Sequence, residues 1–424
     1  MKQPRALMVL TRDPGGELTG RKAVLATIAS SLEAVDIHVD VVVLSRTPPP
    51  EDWQGRGVAW VRLPGLSTVA FGATGVALRG KRSFNEVLFD SRRVRREVRR
   101  VAAARGSSVV VADTLRTAVP AMATGLPVIV HFDDLLSNRY AELSSGGQVQ
   151  GDVLGFFGGQ LPAPVAALAR TAARRLLSTE ARLTAVREVQ LAQAAAAAAM
   201  TSPEEAQELG RRAGRSVSTL PMAVDVRPTG DVAGAPGHSM VFLGHLGYAP
   251  NMAALEWWRD EVRPLLDAQG GEDIVLTVVG SCSMRQRDSL EDARLRFTGY
   301  LPDLADELRA HRAMVAPVTS GTGMKTKVLD GFSVGLPVVA TSLGVAGLAV
   351  RDGQEALVSD DPAGFAASVL RLRDDPAMAA AIGIAGRSLL RSTWSSETLV
   401  ERWRQVIADV LTPNGAQGRS QPPV

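Results

Sequence analysis

The chain has 424 residues, too long for one ordinary hydrophobic core and suited to two domains of roughly 200 residues each. Apolar residues make up 46% and charged residues 21%, the balance of a soluble globular protein, and 4% aromatics argues against a stacking platform for single-stranded nucleic acid. Lys and Arg number 47 against 44 Asp and Glu, a net charge of +3, so there is no global basic field and no nucleic-acid partner is expected.

The single cysteine, Cys282, has no internal partner for a disulfide and fits a reducing cytoplasm. The N-terminal MKQPRALMVLTRDPGG has a short apolar run broken by Arg12 and Asp13, unlike a signal peptide. The longest uncharged stretch, Gly331 to Val350, is cut by glycines and Pro337 and reads as buried strands and loops, not a membrane span.

In chain order, Ala6 to Leu10 reads as a strand, followed by a Gly-rich loop from Asp13 to Gly20. Val24, Leu25, Ile28, Leu32 and Val35 then recur at helical spacing. Val39 to Leu44 is a near-continuous β-branched run, expected where a strand is buried on both faces of a parallel sheet. Further strands are expected at Ala59 to Leu63, Val109 to Ala112, Val128 to Phe132 and Ala195 to Thr201. The last overlaps a run of alanines that propensity alone assigns to helix. A strand is preferred for its C-terminal part, because Ser202-Pro203-Glu204-Glu205 is a strong helix start.

Ser91 to Arg105 (SRRVRREVRRVAAAR) is the most basic run. It reads either as a solvated helix with Val94, Val98, Val101 and Ala102 turned inward, or as a patch for peripheral contact with an anionic lipid surface through Arg92 to Arg105. Leu154 to Leu177, where Phe156, Phe157 and Leu161 precede Arg170, Arg174 and Arg175, reads either as packing against the first domain's core or as a second membrane contact. The Gly- and Pro-rich segment 226–238 is the linker candidate between a first domain, 1–225, and a second, 239–393. A helix at 394–411 and a disordered tail at 412–424 complete the chain. Strands alternating with helices in both halves imply two doubly wound, Rossmann-like α/β domains, with a ligand in the cleft between them.

The stretch Val315 to Thr341 carries the most chemistry. An apolar strand gives way to a Ser320–Gly323 turn, a helix bearing Lys325, Lys327 and Asp330, then Gly335-Leu336-Pro337 and a second strand. A glycine turn at a helix start leaves backbone N–H groups aimed at one point, which favours an anion, and the lysines add charges suited to phosphate. The acidic residue further on is placed to accept hydrogen bonds from neutral hydroxyls such as those of a ribose. An ordinary glycine-capped crossover with two solvated lysines is the competing reading. The chain has only five lysines (Lys2, Lys22, Lys81, Lys325, Lys327), and two fall here, which shifts the balance toward a nucleotide diphosphate site.

Taken together, these segments resemble GT-B glycosyltransferases of the retaining family-4 type (glycosyl transferases group 1). The second half matches through Phe242–Asn251, Thr277–Gly280, Phe297–Tyr300, Ala316–Asp330 and Gly335–Thr341, with turns at Asp352-Gly353 and Asp360–Pro362. The first half matches more weakly, through Gly15–Gly20 and Leu126–Asp134. The resemblance implies transfer of a sugar from a nucleotide diphosphate sugar to a hydroxyl of a small-molecule or lipid-linked acceptor, with retention of configuration and without a metal or other cofactor. It places the leaving diphosphate on amides of Gly321, Thr322 and Gly323 and on Lys325 and Lys327, with Asp330 on the ribose. Gly20, Gly244, His245, Met324, Val328 and Leu329 join the donor site, and Asp133, His131 and Lys327 are the catalytic candidates.

Several positions depart from the family pattern. Thr322 stands where an acid is common, Asp330 where glutamate is usual, and His245 and Pro250 where an arginine and a lysine are frequent. Alignment on Asp134 puts Asp133 in the place of a histidine, with His131 two residues earlier. Asp133 and Asp134 either face the sugar or cap the following turn. A nucleotide-sugar epimerase, a cyclitol-coupling enzyme and a non-catalytic binding protein on the same fold remain alternatives.

Overall fold

The computed structural model describes residues 3–15, 21–63, 82–145, 163–229, 234–290, 292–321 and 326–412. The chain divides into two compact units, residues 1–222 with 399–424, and residues 223–398.

The first unit is built on an eight-stranded sheet in the order β3-β4-β2-β1-β5-β6-β7-β8. Its strands are β1 (Arg5–Leu10), β2 (His38–Ser45), β3 (Asp52–Trp53), β4 (Arg56–Arg62), β5 (Val109–Asp113), β6 (Val128–His131), β7 (Ala197–Met200) and β8 (Ser218–Thr219). All neighbours pair in parallel except β3 and β4. Continuous apolar runs such as VVVAD in β5, buried at every residue, follow from helices covering both faces. The alanine run splits as its flanks dictate, with helix Ala163–Ala194 ending before β7 and Ser202 capping helix Pro203–Ala213. One strand begins earlier than expected. Gln54 and Gly55, both at positive φ, form a two-residue hairpin turn that starts β4 at Arg56 and adds β3.

The second unit carries a six-stranded, wholly parallel sheet ordered β11-β10-β9-β12-β13-β14. The strands are β9 (Ser239–Leu243), β10 (Val275–Val279), β11 (Leu295–Gly299), β12 (Ala313–Ala316), β13 (Val338–Ala340) and β14 (Leu357–Val358). Successive side chains serve opposite cores. Met240 and Phe242 join one cluster with Trp258 and Phe365, while Val241 and Leu243 join the other with Phe332 and Trp394. Both faces are therefore apolar.

The described part of the expected linker packs on the second unit. Val226 lies against its core, and the Arg227 N–H donates to the Ser333 carbonyl at 3.1 Å. At the other end, helix Ser396–Leu411 buries Leu399, Trp403, Val406, Ile407 and Val410, and from Leu399 onward it belongs to the first unit. In each sheet the strand order reverses once, between β1 and β5 and between β9 and β12. Such reversals open a crevice at the carboxyl ends of the strands, where ligands of open α/β sheets bind.

Candidate functional site

At the β9–β12 reversal the backbone is packed too closely for side chains. Gly280 has a φ of 145°, and a Cβ there would stand 2.3 Å from the Gly244 carbonyl oxygen. A Cβ on Gly244 would meet the Asn251 side chain at 2.8 Å and the Phe242 ring at 2.9 Å. Hydrogen bonds stitch the same loops, from Gly244 N–H to the Val279 carbonyl at 2.9 Å and from Leu246 N–H to the Ser281 carbonyl at 3.0 Å. Gly321, at φ 101°, lies against Pro250 and Tyr248. These glycines bring three main-chain segments to one place.

Onto this platform helix Thr326–Ser333 delivers Lys327 as its second residue. Its Nζ donates to Asn251 Oδ1 at 2.6 Å and stands 4.8 Å from the Phe242 ring centroid. Asn251 Nδ2 in turn donates to the His245 carbonyl at 2.9 Å, and His245 Nδ1 lies 2.7 Å from Ser281 Oγ. Lys327, Asn251, His245 and Ser281 thus form one polar chain across the ends of β9, β10 and β12. The His245 side chain is exposed and Lys327 half-buried. Asp330, one turn on, is half-buried, and burial pushes its carboxyl up to about 6 against the opposing pull of Arg227.

Two expected members face elsewhere. The Val328 and Leu329 side chains are 0% exposed within the core around Phe332, because an amphipathic helix that shows Lys327 outward turns its next residues in. Their side chains belong to the core, so any part they take in binding is left to their backbone. Gly20, Thr322, Gly323, Met324 and Lys325 lie outside the described residues.

The β1–β5 reversal of the first unit holds a second site, dominated by a residue that sequence reasoning did not single out. Arg21, the first residue of helix Arg21–Glu33, is buried with its guanidinium shared among three partners. Nε and Nη2 donate to Asp113 Oδ1 at 2.9 and 2.6 Å, and Nη1 donates to Asp133 Oδ1 at 2.7 Å. Nη2 also lies 3.3 Å from His131 Nδ1. The other imidazole nitrogen, Nε2, lies 3.0 Å from the Leu220 carbonyl oxygen, so the tautomer that satisfies both contacts carries its proton on Nε2. Burial, reinforced by Arg21, pulls the His131 imidazole down to about 4, leaving it neutral. His131 is fully buried with both nitrogens engaged, so it positions Arg21 and cannot face a sugar.

Asp133 is the exposed member of that cluster. Its Oδ1 accepts from Arg21 and from Thr201 Oγ at 3.1 Å, and its side chain remains 27% exposed. It sits at φ 72°, and Thr114, just after β5, at φ 66°. A positive φ is uncommon for aspartate and an outlier for β-branched threonine, and such backbone collects at functional sites. Asp134 pairs with Arg139, and burial holds its carboxyl above the usual range. Behind them Glu205 accepts the Leu135 N–H at 3.1 Å and is pushed up to about 7 by burial, with Asp134 and Asp133 adding repulsion. Arg12, Arg21, Thr114, Arg116, Asp133, Asp134, Leu136 and Arg139 line a pocket of about 240 Å³.

Residues 237–375 match the family model described as glycosyl transferases group 1. The lipopolysaccharide core biosynthesis glycosyltransferase LpsD of Rhizobium meliloti is 28% identical over 140 residues, 31% of this chain and 40% of that protein. In the two curated relatives that match, the shared stretch spans 36% and 40% of their length. Among solved structures, sucrose-phosphate synthase of Thermosynechococcus elongatus superposes with a TM-score of 0.61 at 17% identity, over 96% of this chain and 99% of that one. HepE of Anabaena, crystallised with UDP, superposes with a TM-score of 0.62 at 14% identity, over 95% and 99% of the two chains. The chain has the GT-B fold of these structures, and its residues 237–375 carry the match to glycosyl transferases group 1.

Proposed function

We propose that this protein is a glycosyltransferase that moves a sugar from a nucleoside diphosphate sugar to a hydroxyl acceptor in glycan, glycolipid or natural-product biosynthesis, with retention of anomeric configuration and no metal. The observation that carries the reading is Lys327, delivered by a helix start onto a glycine-built platform at the β9–β12 reversal. Breaking the bond between the anomeric carbon and the diphosphate develops negative charge on the leaving oxygens, and a fixed ammonium beside helix-start amides stabilises that charge. Asp330 would accept hydrogen bonds from the ribose. HepE, of the same fold, has been crystallised with UDP and with UDP-glucose, in keeping with such a donor. In the first unit Asp133 is the carboxylate available to a sugar, since Oδ1 alone accepts the bonds from Arg21 and Thr201. Epimerisation would need Asp133 and Asp134 acting as a pair, whereas each is tied to a different arginine, which favours transfer.

Membrane contact, where it occurs, would be peripheral and at the cytoplasmic face. No helix among the described residues is long and apolar enough to cross a bilayer. On helix Arg92–Arg105, Val94, Val98 and Ala102 face inward, Arg95 is drawn to Asp90, Arg99 to the Ala123 carbonyl and Arg100 to Glu97. Arg92, Arg93 and Arg96 present the solvent face, worth roughly 1 kcal/mol each against an anionic leaflet.

The test is incubation with a panel of nucleotide sugars, with and without hydroxyl acceptors. Transfer requires free nucleoside diphosphate to appear only when donor and acceptor are both present. Release in water alone, with an altered sugar recovered, would overturn transfer in favour of epimerisation.

A further inference from the structure

We infer that Arg21 and Thr201 are the positioning residues of Asp133, fixing Oδ1 of its carboxylate and leaving Oδ2 to accept a hydrogen bond from a sugar hydroxyl in the pocket at the β1–β5 reversal. The sugar hydroxyl rests on the transfer reading above; the positioning stands on the geometry of the first unit. Thr201 follows β7 and is 7% exposed. Its N–H donates to the Asp133 carbonyl at 3.2 Å and its Oγ to Oδ1 at 3.1 Å, so one residue fixes both the main chain and the carboxylate. Arg21 Nη1 donates to the same Oδ1 at 2.7 Å. Two donors on one oxygen hold the carboxylate in place. The second oxygen, to which none of the described residues donates, is left for a ligand of the pocket that Asp133 lines.

The surroundings of Arg21 carry local costs that packing alone does not call for. Its side chain is 5% exposed and that of Asp113 2%, and a buried ion pair adds little stability over apolar residues of the same size. Asp113 Oδ1 takes both Nε and Nη2, while its Oδ2 is buried with no hydrogen-bond partner among the described residues. With Asp113 turned to Arg21, helix Thr114–Met122 has no side-chain cap, which an aspartate in that place ordinarily supplies. Thr114 and Asp133 hold positive φ, at 66° and 72°. The neutral His131 lies 3.3 Å from Nη2 and fills the remaining side. An unsatisfied acceptor, an uncapped helix and two strained residues around one guanidinium mark an arrangement kept for where Nη1 is aimed, which is Asp133.

The experiment follows consumption of nucleotide sugars by the full chain, with and without acceptors, at a temperature well below each variant's Tm. Arg21→Gln should lower kcat about a hundredfold, the scale of a misplaced contact at a reacting centre. It also strands the buried Asp113 and weakens the fold. Arg21→Gln combined with Asp113→Asn removes the stranded charge, so stability should recover while kcat should not. Thr201→Val should lower kcat about tenfold, and Thr201→Ser, which keeps the hydroxyl, should restore it. In an Asp133→Asn background Thr201→Val should lower kcat no further, because the hydroxyl acts through that carboxylate. Nucleoside diphosphate affinity should be unchanged throughout. Recovery of kcat along with stability in the paired variant, or full turnover in Thr201→Val, overturns the positioning role and leaves transfer standing. The same pattern of losses on a reaction that needs no acceptor and returns an altered sugar sinks transfer and leaves the positioning standing. A chain that consumes no nucleotide sugar overturns both.

Discussion

Lys327 and Asp330 sit on one helix and answer to different physics. Lys327→Ala removes a half-buried ammonium and its bond to Asn251, a change expected to cost about 1 kcal/mol of stability. The same change should weaken nucleoside diphosphate binding by roughly tenfold to a hundredfold, since charge-assisted phosphate contacts are the strong ones. Calorimetric titration decides: unchanged affinity in a folded variant refutes the donor site. Asp330→Asn should weaken binding less. Asp330 also predicts a pH effect in the ligand-free protein. Its folded value, about 6, lies above the 3.8 of an ordinary aspartate, so the folded chain keeps this proton to higher pH than the unfolded chain. Its contribution to stability falls as pH rises between those two values and is flat above them. Asp330→Asn should raise the Tm at pH 7.5, by about 1–2 kcal/mol in stability, with the difference closing at acid pH. A variant less stable than the wild type at pH 7.5 would refute the assignment.

Lys327 was legible because its helix, the glycine turn and the strand before it are neighbours in sequence. The cluster around Arg21 was not. Its partners Asp113 and Asp133 lie 92 and 112 residues away, and a pairing closed only by the sheet leaves no local pattern. Asp113, the polar end of the otherwise apolar β5, was the available hint. His131 was named as the histidine two residues before the family's position, and sequence gives no measure of the burial that holds it neutral in the structure.

At the level of elements, glycine placement decides whether loops can meet. Gly280→Ala would put a Cβ 2.3 Å from the Gly244 oxygen on a backbone at φ 145°, a joint clash and strain expected to cost about 3 kcal/mol or more. Gly106→Ala is the control, also left-handed at φ 65° but with open space around it, and should cost about 1 kcal/mol. Urea unfolding of both variants checks the order, and equal midpoints would show that the contact is readily relaxed. Parallel strands were easy to read because burial on both faces makes them near-continuous apolar runs, as in Val41–Leu44 of β2. The two-residue strands β3 and β8 were missed, for they carry too few residues to show any periodicity.

For the molecule as a whole, helix Ser396–Leu411 matters more than its length suggests. Trp403 is 0% exposed, in the part of helix Ser396–Leu411 that belongs to the first unit. Trp403→Ala should therefore lower that unit's unfolding midpoint, at about 3–5 kcal/mol. The rise in thermal stability that a nucleotide gives the second unit should survive, because ligand linkage acts only through the unit that binds. Scanning calorimetry with and without nucleotide separates the two transitions; loss of the nucleotide-induced shift would count against the division.

The return of that helix has one more consequence. The polypeptide leaves the first unit once and comes back once, so residues 223–398 are an insertion within it. The two ends of the insertion touch, through Val224 N–H on the Trp394 carbonyl at 3.0 Å and Ser396 Oγ on Asp225 Oδ1 at 2.5 Å. A segment whose entry and exit lie side by side can be lifted out and replaced as a cassette with two cuts and no redesigned core. If the proposed donor site is right, exchange of this piece between relatives would change donor preference and leave residues 1–222 in place, a route open to genetic recombination as much as to the engineer.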